Sequence, residues 1–390
     1  VITFAGKSDP LLVGHPFLPT GRGECIRAAY RAIKAAAFES RLLDVYGSSS
    51  VDPDIGAEIG ACLEARLSSG VNIFYINGDE IEQALAHLGA DSVVGAYNIL
   101  VPMWELSKYP AAWARQVERF NEVWASSAFI RDSLAPAVSV PVHHLPFCTE
   151  VNISSFLGRR YFHIPEGRYV FLFLFNFTSY IDRKNPFAGI KAFERLLCAR
   201  PRADAHFVIK VSGAQQRPLD YQELRDATAP FRDRITIIDR VLTDNEMKNL
   251  LRASDCFLSL HRSEGLGRGL AEAMFLGKPV IATAYSGNMD FMTRDNSLLV
   301  DYQLIPVGPG AYPQWQGQVW ADADVEQATG YMIQLVEDPG YGRLIGTRAS
   351  RHLRQRFSYR AAGLHYRARL ETIARGCADS SRSTTTGAEA

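Results

Sequence analysis

Two glutamates with seven residues between them, Glu264 and Glu272, bracket the stretch of this chain best equipped for chemistry. It reads Leu258-Ser-Leu-His-Arg-Ser-Glu-Gly-Leu-Gly-Arg-Gly-Leu-Ala-Glu-Ala-Met, a strand running through Gly265, Gly267 and Gly269 into a helix. Alternating glycines let a ligand approach the backbone, and a helix N-terminus offers N–H groups and a positive dipole end to an anion such as phosphate. Glu272 lies among Leu270, Ala271, Ala273 and Met274 on an apolar helix. An unpaired charge there is costly, so its carboxylate needs partners, and sugar hydroxyls would serve.

A second signal is Asp182-Arg-Lys-Asn-Pro186. Asn185 reads as an N-cap and Pro186 as a first helical residue, which puts Arg183 and Lys184 at a helix start. Arg268 repeats that placement in the helix after Gly267. Cations at helix starts oppose the macrodipole by about 0.3–1 kcal/mol each, a placement that makes sense when an anion binds there. Two such starts following strands of one domain would converge on a diphosphate and stabilise charge on a leaving group.

The elements that must position these residues show a βαβ rhythm. In the first half, strand-like runs and helical patterns alternate through Val1–Ala5, Glu24–Phe38, Arg41–Tyr46, Val71–Ile76, Asp79–Leu88 and Ser92–Ile99, then Pro110–Phe120, Val123–Ala125, Ile130–Leu134 and Val142–Leu145. The pattern turns irregular from Phe147 to Gly167. It resumes at Tyr169, with strands expected at 207–211, 235–238, 256–260, 279–282 and 297–300. The expected division is a Rossmann-like domain over 1–150, a connection over 151–168, and a second Rossmann-like domain over 169–345. C-terminal helices over 346–379 and a flexible Ser/Thr-rich tail over 380–390 would follow.

The 390 residues carry 42 basic and 42 acidic side chains, so no global footprint for nucleic acid exists. The hydrophobic fraction of 47% and charged fraction of 22% exclude disorder, collagen and coiled coil. The most apolar run, Tyr169–Phe177, is far short of the roughly 20 residues that cross a bilayer. No secretory leader is visible. Six scattered cysteines without a CxxC pair read as reduced residues of a cytosolic protein. Asp52-Pro-Asp54 and Asp322-Ala-Asp324 look like metal triplets but precede helix starts and read as caps. The arginines from Arg343 to Arg375, with Glu371 as their one local acid, offer either a solvated helix or a contact with anionic membrane. Trp104, Tyr109, Trp113 and Trp124 read as core residues before sugar platforms.

Taken together, Glu264 and Glu272, the Glu-Ala-Met and Gly-Lys-Pro-Val runs and Ser286-Gly-Asn resemble the retaining nucleotide-sugar glycosyltransferases of family four, the glycosyl transferases group 1. The resemblance implies α/β class and GT-B architecture: two Rossmann-like doubly wound domains facing each other across a cleft, the first (1–150) on the acceptor side and the second (169–345) binding the nucleotide sugar. It implies that Glu264 contacts donor-sugar hydroxyls, Glu272 holds the ribose and Lys184 meets the diphosphate; the residues themselves add Arg183, Arg268 and the amides of Gly265, Leu266 and Gly267 as candidates there, although no arginine stands at the family's usual place before the lysine. The Gly21 and Gly23 turn matches the family's glycine-rich loop after the first strand. His261 stands where the family often has proline and is a further ligand candidate, and Glu105 is the acceptor-side candidate.

The reaction so implied moves a hexose, with mannose slightly favoured, from a nucleoside diphosphate sugar to a hydroxyl of a saccharide or lipid-linked saccharide. It needs no metal or other cofactor. It would take place in the cytoplasm or peripherally on the inner face of the plasma membrane, in surface or exported polysaccharide synthesis. The rivals are a phosphorylase or epimerase sharing the architecture, and a nucleotide-sugar-binding scaffold that has lost transfer.

Overall fold

A computed structural model describes residues 9–47, 52–89 and 93–385. The strand expected at Val1–Ala5 and the last five residues of the expected tail lie outside them. The chain forms two compact units, a first of Val1–Trp104, Lys108–Glu150 and Arg356–Ala390, and a second of Glu105–Ser107 and Val151–Gln355.

The first unit contains β1 (Leu11–Gly14), α1 (Gly21–Ala35), β2 (Arg41–Asp44), α2 (Pro53–Ile59), β3 (Val71–Phe74), α3 (Ile81–Leu88), β4 (Tyr97–Leu100), α4 (Ala111–Val117), β5 (Glu122–Ala125), α5 (Ala128–Leu134) and β6 (Val142–His144). Its six strands pair in parallel in the order β2-β1-β3-β4-β5-β6. Strands β1, β3 and β5 are buried at every position, as expected of parallel strands covered on both faces.

In the second unit the elements are β7 (Tyr169–Asn176), α6 (Ile181–Lys184), α7 (Pro186–Ala199), β8 (Ala205–Ser212), α8 (Pro218–Thr228), β9 (Ile235–Asp239), α9 (Asp244–Ala253), β10 (Cys256–Ser259), α10 (Arg268–Phe275), β11 (Val280–Thr283) and β12 (Leu298–Val300). The parallel order is β12-β11-β10-β7-β8-β9, so chain direction across the sheet reverses between β7 and β10. In open α/β sheets, ligands bind outside the carboxyl ends of the strands at such a reversal. The Phe-rich face of β7 packs with Phe193 of α7 and Phe207 of β8 in the core. A capping box of Thr243 and Glu246 starts α9, each side chain bonded to the other's backbone N–H.

Three features depart from the sequence reading. An antiparallel hairpin, β13 (Tyr302–Pro306) with β14 (Val319–Ala323), follows β12. The C-terminal helices, α11 (Val325–Glu337), α12 (Pro339–Arg356) and α13 (Tyr359–Thr385), do not form one block. The chain up to Gln355 clusters with the second unit, whereas α13 lies along α1 in the first and remains helical through Thr385, past the start expected for the tail. Gly363 makes that packing possible, because a Cβ there would lie 2.1 Å from the Ala32 carbonyl oxygen. Tyr366, Leu370 and Ile373 complete the core of the first unit, and Arg369 pairs with the fully buried Glu122. Of the five described cysteines, Cys25, Cys148 and Cys256 are buried; the side chain of Cys377 falls outside the described residues.

Asp52 accepts from the N–H groups of Asp54 and Ile55 at the start of α2, and Asp324 from those of Glu326 and Gln327 at the start of α11. Both triplets thus supply caps. Trp104, Tyr109 and Trp124 are buried, the first two edge-on to one another and Trp124 stacked on Tyr366.

Candidate functional site

The chain leaving β7 and the chain leaving β10 meet at the reversal point of the second sheet. Four bonds fasten them together. The Arg262 N–H donates to the Arg183 carbonyl (2.8 Å), Arg183 Nη1 to the Ser263 carbonyl (2.9 Å), Asn185 Nδ2 to the Leu260 carbonyl (3.0 Å), and Arg262 Nη1 to the Asp182 carbonyl (2.8 Å). This lacing sets the Lys184 ammonium against one oxygen of Glu264, with Arg183 Nη1 3.4 Å from the other.

Electrostatics follow from burial and pairing. Burial pushes the Glu264 carboxyl up, but the charges of Lys184 and Arg183 outweigh it and hold the group at about 2. Burial pulls the Lys184 ammonium down, opposed by Glu264. For Arg183 the attraction of Glu264 and Glu105 overcomes the cost of burial and raises the pKa. The result is a carboxylate fixed between two cations.

The placement of the cations differs from the expectation. Arg183 and Lys184 end the one-turn helix α6, with Asn185 left-handed at φ 52° between α6 and α7. Its side chain does not cap α7. A helix end favours cations, so the dipole argument for an anion at these two residues falls, and the weight passes to the Lys184 and Glu264 chemistry. Arg183 is 4% exposed and committed to the Ser263 and Ser179 carbonyls, with its guanidinium 5.7 Å from the centre of the Tyr312 ring. It orients Glu264 and the loop.

Loop 264–267 is pinned by residues after β11. The Glu264 N–H donates to Ser286 Oγ (2.8 Å), and the Gly287 N–H donates to the Glu264 carbonyl (2.9 Å). A Cβ on Gly287 would stand 1.9 Å from the Gly265 carbonyl oxygen, so no larger residue fits without moving the loop. Gly267 takes φ 81° as it leads into α10, and Gly265, Leu266 and Gly267 are buried. Arg268 opens α10 and reaches Glu272 Oε1 at 3.3 Å, one turn on. Glu272 therefore has a cationic partner within the protein.

His261 proves to be an internal strut. It is fully buried, one ring nitrogen 3.1 Å from Ser259 Oγ and the other 3.1 Å from Asn288 Oδ1, and burial lowers its pKa. Glu105 was expected on the acceptor-side domain, but it belongs to the second unit. Its Oε2 accepts from the Tyr312 hydroxyl (2.6 Å) and its carbonyl from Ser263 Oγ. Burial and the nearby Glu105 raise the Tyr312 pKa.

In the first unit, Gly21 opens α1, and Gly23 sits so close to the Leu18 carbonyl that a Cβ would be 2.1 Å away. Gly23 is thus demanded by packing. The order of this sheet reverses between β1 and β3, and the loops there join His15, Arg22 and Glu80, with Glu80 bonded to both partners. The sequence reading missed this trio, as well as Ser263 and Tyr312, and gave Ser286 and Asn288 only as part of a motif without a role. Ser286-Gly-Asn was legible as a motif, whereas Tyr312 sits in a Gly/Pro-rich stretch with no periodicity.

Residues 168–306 match the family model described as glycosyl transferases group 1. Over 190 residues the chain is 26% identical to a protein of Corynebacterium glutamicum named GDP-mannose-dependent monoacylated alpha-(1-6)-phosphatidylinositol monomannoside mannosyltransferase. That alignment takes in 47% of this chain and 42% of the relative, so the chain spans less than half the length of the curated relative it matches. HepE of Anabaena, crystallised in complex with UDP, superposes with a TM-score of 0.68 at 13% identity, covering 94% of this chain and 100% of its own. Sucrose-phosphate synthase of Thermosynechococcus elongatus gives 0.65 at 13%, covering 94% and 99%. The chain thus has two units with six-stranded parallel sheets, the α/β fold of GT-B enzymes, and its residues 168–306 are similar to the glycosyl transferases group 1.

Proposed function

We propose that this protein is a retaining glycosyltransferase that moves a hexose from a nucleoside diphosphate sugar to a hydroxyl of a saccharide or lipid-linked saccharide. The observation carrying this reading is the Lys184–Glu264 pair at the reversal point of the second sheet, beside the start of α10. The ammonium supplies positive charge where a diphosphate leaves, and Glu264, fixed beside it, can accept hydrogen bonds from donor-sugar hydroxyls. Glu272, one turn into α10, receives the ribose hydroxyls in competition with Arg268.

In the transfer, the bond from the anomeric carbon to the phosphate oxygen breaks as the acceptor oxygen bonds to that carbon on the same face. The acceptor proton passes to the departing phosphate. Lys184 and the loop 265–267 backbone stabilise the charge, which makes the proposed reaction independent of metal. The proposed setting is the cytoplasm, at or near the inner face of the plasma membrane, in surface or exported polysaccharide synthesis. Among the described residues no helix is long and apolar enough to cross a membrane. Mannose on GDP is favoured by the name of the Corynebacterium relative, and UDP by the ligand of the Anabaena protein.

A thermal-shift panel with UDP, GDP, ADP and their sugar conjugates, with and without EDTA, tests the reading on the wild type and Glu272→Ala. Binding at 100 times the dissociation constant adds about 2.7 kcal/mol to stability. The expected result is a shift from one nucleotide class, unaffected by EDTA and diminished in the variant, with NMR of the product showing a retained anomer. No shift from any nucleotide sinks the proposal.

A further inference from the structure

The edge of the second sheet opposite Lys184 and Glu264 carries a separate cationic cavity. It has a volume of about 810 Å³ and opens where strands begin: Tyr169 starts β7, Asp204 precedes β8, Asp255 precedes β10, and Lys278 precedes β11. The eight residues of β7, at about 3.3 Å each, put roughly 26 Å between the two edges.

Arg159, Arg168, Arg202, Lys278 and Arg343 line it, against the carboxylates of Asp204 and Asp255. Asp255 is already engaged by Arg159 (2.6 Å) and by the Val170 N–H (2.7 Å). Arg168 donates to the Asp233 carbonyl (2.7 Å). Lys278, Arg202 and Arg343 make no side-chain hydrogen bond or ion pair with the described residues. Burial lowers the Lys278 pKa against the pull of Asp255, the mark of an ammonium short of compensation. A concave site with surplus positive charge concentrates anions, and arginine forks beside a lysine suit phosphate oxygens.

What adjoins the cavity narrows the ligand. A hollow of about 430 Å³, walled by Leu196, Ala199, Pro201 and Ile333, shares Arg202, Ala203 and Val336 with it. The charges at the hollow's rim, Arg200 and Glu337, neutralise one another at 2.5 Å. We propose that this edge of the second unit binds an amphiphile with a phosphate monoester head, the phosphate among Lys278, Arg202 and Arg343 and the apolar chain in the hollow. The site is independent of the donor reading, since none of its residues takes part in it.

Calorimetric titration of the full chain with dihexanoyl phosphatidic acid below its micellar concentration tests this, with glycerol 3-phosphate as the head alone and dihexanoylglycerol as the tail alone. The expected outcome is one-to-one binding of the phosphatidic acid, about tenfold or more tighter than glycerol 3-phosphate, with no binding of the neutral lipid. Lys278→Gln, and separately the exposed pair Arg202→Gln with Arg343→Gln, should weaken it by about tenfold or more. Ile333→Asp should reduce it to the level of glycerol 3-phosphate. Melting curves show that each variant folds. Glycerol 3-phosphate binding as tightly as the lipid would overturn the amphiphile assignment in favour of a free phosphate ester. Absence of lipid binding, binding that survives the cation variants, or displacement by UDP and GDP would overturn the site.

Discussion

Lys184 and Glu264 form one contact with consequences for both the proposed chemistry and stability. In the proposed reaction the Lys184 charge faces the leaving phosphate, so Lys184→Ala should lower kcat by about 10²–10³, read in a donor-turnover assay. The pair also has an acid signature. Glu264 falls from an ordinary 4.5 to about 2 in the fold, so its stabilisation is complete above pH 4.5 and lost as pH falls towards 2. The loss is up to about 3 kcal/mol. Denaturant titrations between pH 5 and about 2 should show a shallower acid slope for Glu264→Gln than for wild type. Equal slopes would mean that the carboxylate is not held by its cations.

At the scale of elements, loop 264–267 keeps its shape because two backbones touch. Gly287→Ala puts a methyl group into the space of the Gly265 carbonyl oxygen, and the loop must move. We expect destabilisation of about 1–3 kcal/mol in urea, with a parallel loss of nucleotide affinity by thermal shift. The strand-to-helix rhythm behind this loop was legible in the sequence, because parallel strands buried on both faces spell continuous apolar runs. The hairpin β13–β14 was not, since its first strand is largely exposed and so spells no buried apolar run. Nor was the end of α6: Asn185-Pro186 signals a helix start equally well whether a helix has just finished or not.

Across the whole molecule, the C-terminal helix α13 belongs to the unit with which the chain began. Arg369 holds Glu122, which is fully buried and also accepts from Trp124 Nε1 (2.6 Å) and the Tyr97 hydroxyl (2.8 Å). Arg369→Ala leaves a buried carboxylate short of charge and should cost about 3–5 kcal/mol. Arg367→Ala, which breaks an exposed pair with Glu371, should cost under about 1 kcal/mol. Calorimetry resolves the two effects, because the transition of the first unit should fall in the former variant while a nucleotide-stabilised transition of the second holds. Equal effects would show that α13 does not anchor the first unit through this pair.

The sequence by itself determined the α/β class, the two series of strands and the cluster of glycines, cations and glutamates over 182–186 and 258–274, because these features are local: periodicity, turn chemistry and spacing along one strand-loop-helix. Tertiary structure decided which partners those residues take. Glu105 passes to the second unit, His261 turns inward onto Asn288, Arg183 is committed to the Ser263 carbonyl, and α13 crosses back to α1. Each outcome rests on contacts between residues far apart in the chain. Such contacts are set by sheet order and by close backbone approaches at Gly287 and Gly363, for which an apolar face or a charge pattern carries no address.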